Sequence, residues 1–108
     1  MSDKVELVAA AQVNVVDGTP GSIIFNSNFG FATASRGSAG SYQLELEHKH
    51  DAKKLVISVT RDAVDSGQIS ASPVSPTGDV KLIQINSFDS TDVAADTSFY
   101  ISVQRVRS

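Results

Sequence analysis

Apolar and polar residues alternate along most of this chain. In Ser41–Glu47, Tyr42, Leu44 and Leu46 fall on one parity and Gln43, Glu45 and Glu47 on the other. Successive strand side chains point to opposite faces, so the run predicts a half-buried strand. Lys54–Arg61 repeats the pattern, with Leu55, Ile57 and Val59 set against Val56, Ser58 and Thr60. The polar stretch between them, residues 48–53, has the length of a hairpin loop, and the two runs are expected to pair antiparallel. Phe99, Ile101 and Val103 alternate with Tyr100, Ser102 and Gln104 in a last strand. Val80–Ile85 is another, and its adjacent Leu82 and Ile83 signal a bulge or burial on both faces. Gly67–Ser72, stopped by Pro73, is a weaker strand. Ser22–Asn26 and Phe29–Ser35 complete the set, the latter placing Phe29, Phe31 and Thr33 on one face.

Two patterns compete at the N-terminus. As a strand, Val5, Leu7, Ala9, Ala11, Val13 and Val15 line one face. As a helix, Asp3 caps it, Glu6 follows at capping-box spacing, and three consecutive alanines favour the turn. A chain otherwise patterned at period two favours the strand. Turn chemistry separates the runs at residues 17–21, 36–40, 65–67 and 73–78. The expected fold class is therefore all-β, a single antiparallel β-sandwich or jelly roll of seven to eight strands. One domain is expected over residues 1–108, with a short N-terminal arm at 1–4. Leu44, Leu46, Leu55, Ile57, Val59, Phe99, Ile101 and Val103 are expected between the sheets. All five phenylalanines (Phe25, Phe29, Phe31, Phe88 and Phe99) are expected in the core, with Tyr42 placing its hydroxyl at an edge.

Composition narrows the function. Of the 108 residues, 41% are hydrophobic and 19% charged, the balance of a globular chain able to bury one core. The net charge of −3 argues against nucleic acid as the principal partner, because phosphate binding needs a positive field. The absence of cysteine removes disulfides, thiolate catalysis and Cys-based zinc sites, and it fits assembly in a reducing cytosol. Val5–Val16 is too short and too interrupted to span a bilayer as a helix, and it lacks a signal peptide's basic lead. No membrane partner is expected.

Each cluster of reactive side chains has a plainer reading beside it. His48 and His50 with Glu47 or Asp51 have metal-ligand types, but Lys49, Lys53 and Lys54 would repel a cation there. Asp89, Asp92 and Asp96, and separately Asp62 and Asp65, offer oxygen ligands without the alternating acids and closing Glu of a calcium loop. Asp is also what turns prefer locally. Gly37–Ser41 places its serine out of frame for a nucleophile elbow, and phosphate-cradling glycine motifs are missing. Glu45 and Glu47 share a strand face beside a basic loop, which points to a solvated charged surface and not an acid-base pair. Lack of Trp counts against a carbohydrate platform, while Tyr100, opposite in parity to Phe99, is a candidate contact residue. No enzymatic activity, metal or cofactor is expected.

Three stretches carry a resemblance. Residues 29–44 run from an apolar strand through Arg36 and a Gly-containing turn into Gly40-Ser41-Tyr42 and a second alternating strand. Residues 80–89 form an alternating strand closed by Phe88-Asp89, and residues 96–105 run from Asp96 through Phe99 and β-branched residues to Arg105. Together they resemble small β-sandwich domains of bacteriophage virion surface proteins, of the capsid-decoration and tail-fibre-tip type. The resemblance implies a non-enzymatic role in adhesion or assembly at the virion surface, in a protein made in the host cytoplasm. A free-standing domain of this size is expected to be a decoration (cement) protein that stabilises the head lattice. Its partners would be the major capsid protein or another virion protein, and it would be a dimer or trimer. The alternative is a tail-fibre or other receptor-binding module for host surface glycan. In either role the expected contact residues are Arg36, Ser38, Ser41, Asp89, Thr91, Asp92 and Tyr100.

Overall fold

A computed structural model describes residues 4–16, 22–61, 67–74 and 78–107. The arm before Lys4, the turn at 17–21, Asp62 and Asp65, and residues 75–77 lie outside the described residues. Eight strands follow in order: β1 (Lys4–Val16), β2 (Ser22–Phe29), β3 (Phe31–Ser38), β4 (Ser41–Asp51), β5 (Leu55–Arg61), β6 (Gln68–Pro73), β7 (Asp79–Phe88) and β8 (Phe99–Arg107). A short 3-10 turn at Ala52–Lys54 separates β4 from β5. The fold is an all-β sandwich of two four-stranded antiparallel sheets, ordered β2-β1-β8-β5 and β3-β4-β7-β6. We term these the first and second sheet.

The N-terminal run is strand, as the period-two pattern favoured, but its face is not continuous. The β1–β8 register slips between Leu7 and Ala9. Ala9, Ala11 and Val13 point inward and are buried, whereas Val5 and Leu7 turn outward and are half exposed. One inserted residue reverses side-chain parity, so alternation read across it assigns the wrong face. The same holds at Phe29–Ser35, which is not one strand. Gly30, at φ +85°, breaks it, and a Cβ there would sit 2.3 Å from the Val8 carbonyl oxygen. Phe31 consequently enters the core, while Phe29 and Thr33 face outward.

The expected pairing of Ser41–Glu47 with Lys54–Arg61 is overturned. β4 lies between β3 and β7 in the second sheet, and β5 pairs with β8 at the edge of the first. Residues 48–51 continue β4, so the polar stretch leads into a crossover between sheets instead of a hairpin turn. A segment of that length serves either connection, because loop closure costs little more for one than for the other. The bulge expected at Leu82–Ile83 is not there: Leu82 and Ile83 face Glu45 and Leu44 in regular register. The irregularity lies between Leu82 and Val80, where the extra residues are carried by β4 between Glu45 and His50.

Tyr42, Leu44, Leu46, Ile83 and Ile85 from the second sheet meet Val13, Phe99, Ile101 and Val103 from the first, all buried. Two aromatic pairs cross the interface, Tyr42 with Phe99 at 5.4 Å between centroids and Phe25 with Phe31 at 6.1 Å. Leu55, Ile57 and Val59 point to this core but are only half-buried, because β5 is an edge strand. Phe29 and Phe88 lie outside it, contrary to expectation, at 57% and 36% exposure. Phe88 ends its strand on the outward parity, next to Ser87, which is the buried residue.

The two outer faces differ. On the second sheet the face is polar and charged, with Glu45 4.0 Å from Lys81 and Gln43 bonded to Gln84. The first sheet's outer face is built of cross-strand rows. Leu7 and Val56 flank Gln104; Ala10 and Ser58 flank Ser102; Gln12 and Thr60 flank Tyr100. From the Val5–Val106 pair to the Asn14–Ile24 pair, no outward position in this sheet carries a charge. No helix among the described residues is long and apolar enough to cross a membrane, a statement that does not bear on β-barrels.

Candidate functional site

The β3–β4 turn and the long β7–β8 connection come together at one end of the sandwich. Their junction is the Asp96 carboxylate. Its Oδ1 accepts hydrogen bonds from the Gly40 backbone N–H (2.8 Å) and the Tyr42 hydroxyl (2.8 Å). Arg36 grips the same group through Nε, at 3.1 Å to each oxygen, and Nη2, at 2.9 Å to Oδ2. The Tyr42 hydroxyl in turn accepts from the Thr97 backbone N–H at 3.1 Å. Residues more than fifty positions apart are thus tied into one polar node at the rim of the core.

Local geometry makes the node possible. Gly40 adopts φ +70° in the tight turn, and its carbonyl receives the Ser87 N–H at 2.8 Å. Only glycine fits, because a Cβ would lie 2.3 Å from the Ser87 carbonyl oxygen and 2.8 Å from the Ala95 nitrogen. Tyr42 occupies an inward parity of β4 with its ring fully buried and its hydroxyl reaching the rim. The expected edge position of that hydroxyl is what the structure shows. The hydrogen bonds from Arg36, followed by those from Gly40 and Tyr42, hold the Asp96 carboxyl below the usual carboxylate range against a smaller opposing effect of burial. Burial pushes the Tyr42 phenol well above its ordinary value, and its bond to ionised Asp96 adds to that shift.

The second loop closes on itself. Asp89 Oδ1 accepts from the Thr91 N–H (2.8 Å), the Thr91 hydroxyl (2.7 Å) and the Val93 N–H (3.1 Å). The Thr91 hydroxyl, then the two backbone N–H groups, keep the Asp89 carboxyl below its ordinary range. Asp92 takes φ 64°, and Phe88 bridges to Ala94. Such side-chain-to-backbone bonding is what places Asp in turns. Asp89 therefore shapes its loop, while Thr91, Asp92 and Val93 form the exposed tip.

Of the residues singled out from the sequence, Arg36, Ser38 and Ser41 share the β3–β4 end with this network. Ser38 is exposed, and Ser41 accepts a hydrogen bond from Gln84 at 2.9 Å. Tyr100 belongs elsewhere: it stands on the outer face of the first sheet, 44% exposed, where Gln12 donates to its hydroxyl at 3.1 Å. The residues that organise the node, Asp96 and Gly40, were not among the expected contacts. In the sequence Gly40 stood out as a turn glycine and Asp96 as a loop carboxylate after Ala94-Ala95, each within a stretch that carries the resemblance, with nothing to join them.

His48 and His50 lie on β4 near the opposite end. Burial, then the neighbouring His48 charge, lowers the His50 pKa. Among the described residues no group of three or more His, Asp or Glu is arranged to hold a metal. At that end Val74, Val80 and Leu82 line a groove of about 140 Å³, rimmed by Asp79 and Lys81, with room for one side chain. Against protein-family models, curated proteins and solved structures alike, the chain finds no match.

Proposed function

We propose that the protein is a non-enzymatic structural component of a bacteriophage particle, a decoration protein that stabilises the head lattice. The observation that carries a binding role is the Asp96 node, which fixes two loops into one surface without consuming the exposed tips at Ser38 and Thr91–Val93. A surface held rigid before contact loses little conformational entropy on binding, which suits a clamp repeated across a lattice. The phage setting is supported by the sequence resemblance. Two of its three stretches meet at this node: Arg36, Gly40 and Tyr42 come from the first and Asp96 from the last.

A clamp acts on the particle. A ligand that binds only the assembled lattice stabilises it by mass action, and many copies act together. Particles lacking the protein are expected to form, to attach to host cells normally, and to release DNA at lower temperature or weaker osmotic shock. Unchanged particle stability with loss of attachment would instead assign the loops to receptor glycan. Retention of both properties would remove the particle role.

A further inference from the structure

We infer that the outer face of the β2-β1-β8-β5 sheet is the contact surface for a second copy of this chain. Single exposed apolar side chains are ordinary on a protein surface, but a contiguous set marks an interaction site. Val5, Leu7, Ile24, Phe29, Val56 and Tyr100, each between 44% and 58% exposed, all share this one face. The remaining large exposed hydrophobics, Val74, Phe88 and Val93, are dispersed over the other sheet and its loops.

Charge identifies the occupant. The chain carries a net −3, so two copies repel each other at long range. Among the described residues between the Val5–Val106 and Asn14–Ile24 pairs, no outward strand position is charged, although 19% of the sequence is. A strongly charged partner would find no complement here. A second copy, by contrast, meets only uncharged side chains under any two-fold arrangement, since an isologous interface places one patch against itself. The relief is also self-complementary. Inside Phe29, which ends the row on β2, the low positions Ala10, Ser102 and Ser58 run between the taller rows containing Tyr100 and Leu7 with Val56. The tall row of one copy can seat in the low row of the other, as in face-to-face sheet packing.

The area is adequate. Four strands at ~4.8 Å spacing and about eight residues at ~3.3 Å each give a footprint of roughly 500 Å² per copy. Two such footprints reach about 1,000 Å², the lower bound for a specific interface. The inference deepens the oligomer expected of a lattice clamp, but the face alone carries it.

Sedimentation equilibrium on the purified chain tests it. Wild type is expected to show twice the 11.4 kDa chain mass at micromolar concentration. Ser102→Arg, at the centre of the face, should be monomeric or raise the dimer Kd at least tenfold, as should Thr60→Lys. Ser72→Arg, on the other sheet's outer face, should remain dimeric. Mixing Ser102→Arg with Ser102→Asp should restore association, which a merely misfolded variant would not. A monomeric wild type at millimolar concentration overturns the inference, as does a Ser102→Arg dimer as tight as wild type. Either result leaves the particle assays above free to succeed or fail independently.

Discussion

Replacing Asp96 with alanine removes the acceptor shared by the Gly40 N–H and the Tyr42 hydroxyl. Gly40 and Tyr42 are buried, so both donors lose their partner where water reaches poorly. An orphaned buried donor costs about 1–3 kcal/mol, and the pair together about 2–5 kcal/mol. Asp96→Asn keeps an amide oxygen for both donors but loses the charge and the Oδ2 acceptor that face Arg36, so it should cost less than alanine. Urea unfolding should show the midpoint fall in the order wild type, Asn, Ala at constant m-value. Combining Asp96→Ala with Tyr42→Phe should be less costly than the sum, by about 0.5–3 kcal/mol, because both changes remove one network. Acid provides a second readout. The folded pKa of Asp96 is depressed, so its stabilisation is complete above the unfolded carboxylate value of ~3.9 and is lost as pH falls through the lower folded value. Wild type and Asp96→Asn should therefore converge in stability in strong acid. A loss below about 0.5 kcal/mol for Asp96→Ala, or a gap between wild type and Asp96→Asn that persists in acid, would refute the assigned role.

Gly40→Ala should cost about 2–4 kcal/mol in thermal or urea unfolding, from the left-handed φ and the approach to the Ser87 carbonyl. Leu44→Ala, fully buried, should cost about 2–5 kcal/mol, whereas Ile57→Ala, half-buried on an edge strand, should cost about 1–2 kcal/mol. Equal losses in a parallel urea series would place β5 deeper than its position at the sheet edge allows. The raised Tyr42 pKa predicts stability that is intact below the ordinary phenol value of ~10 and lost as pH climbs through the higher folded value. Tyr42→Phe, followed by circular dichroism, should lack that component of the alkaline loss.

Strand identity and most inward sets were legible in the sequence because period-two alternation is a local property. Leu44 with Leu46, and Phe99 with Ile101 and Val103, needed only their own neighbours to declare a face. In the N-terminal run the local patterns were split between alternation and a capping-box spacing with three alanines, and the period-two pattern of the rest of the chain favoured the strand that forms. The partner of each strand was not decided locally, because β4 reaches β7 and β5 reaches β8 through contacts that no local pattern encodes. Parity failed wherever an inserted residue or a left-handed glycine shifted the register, at Leu7–Ala9 and at Gly30. The Asp96 node was hidden for the same reason. Arg36 and Tyr42 lie sixty and fifty-four positions from the carboxylate they bind, and only the folded chain brings them within hydrogen-bonding distance. The uncharged face shows the two levels most clearly: its residues are written in the sequence, but that they share one surface was decided by pairing β2, β1, β8 and β5 in that order.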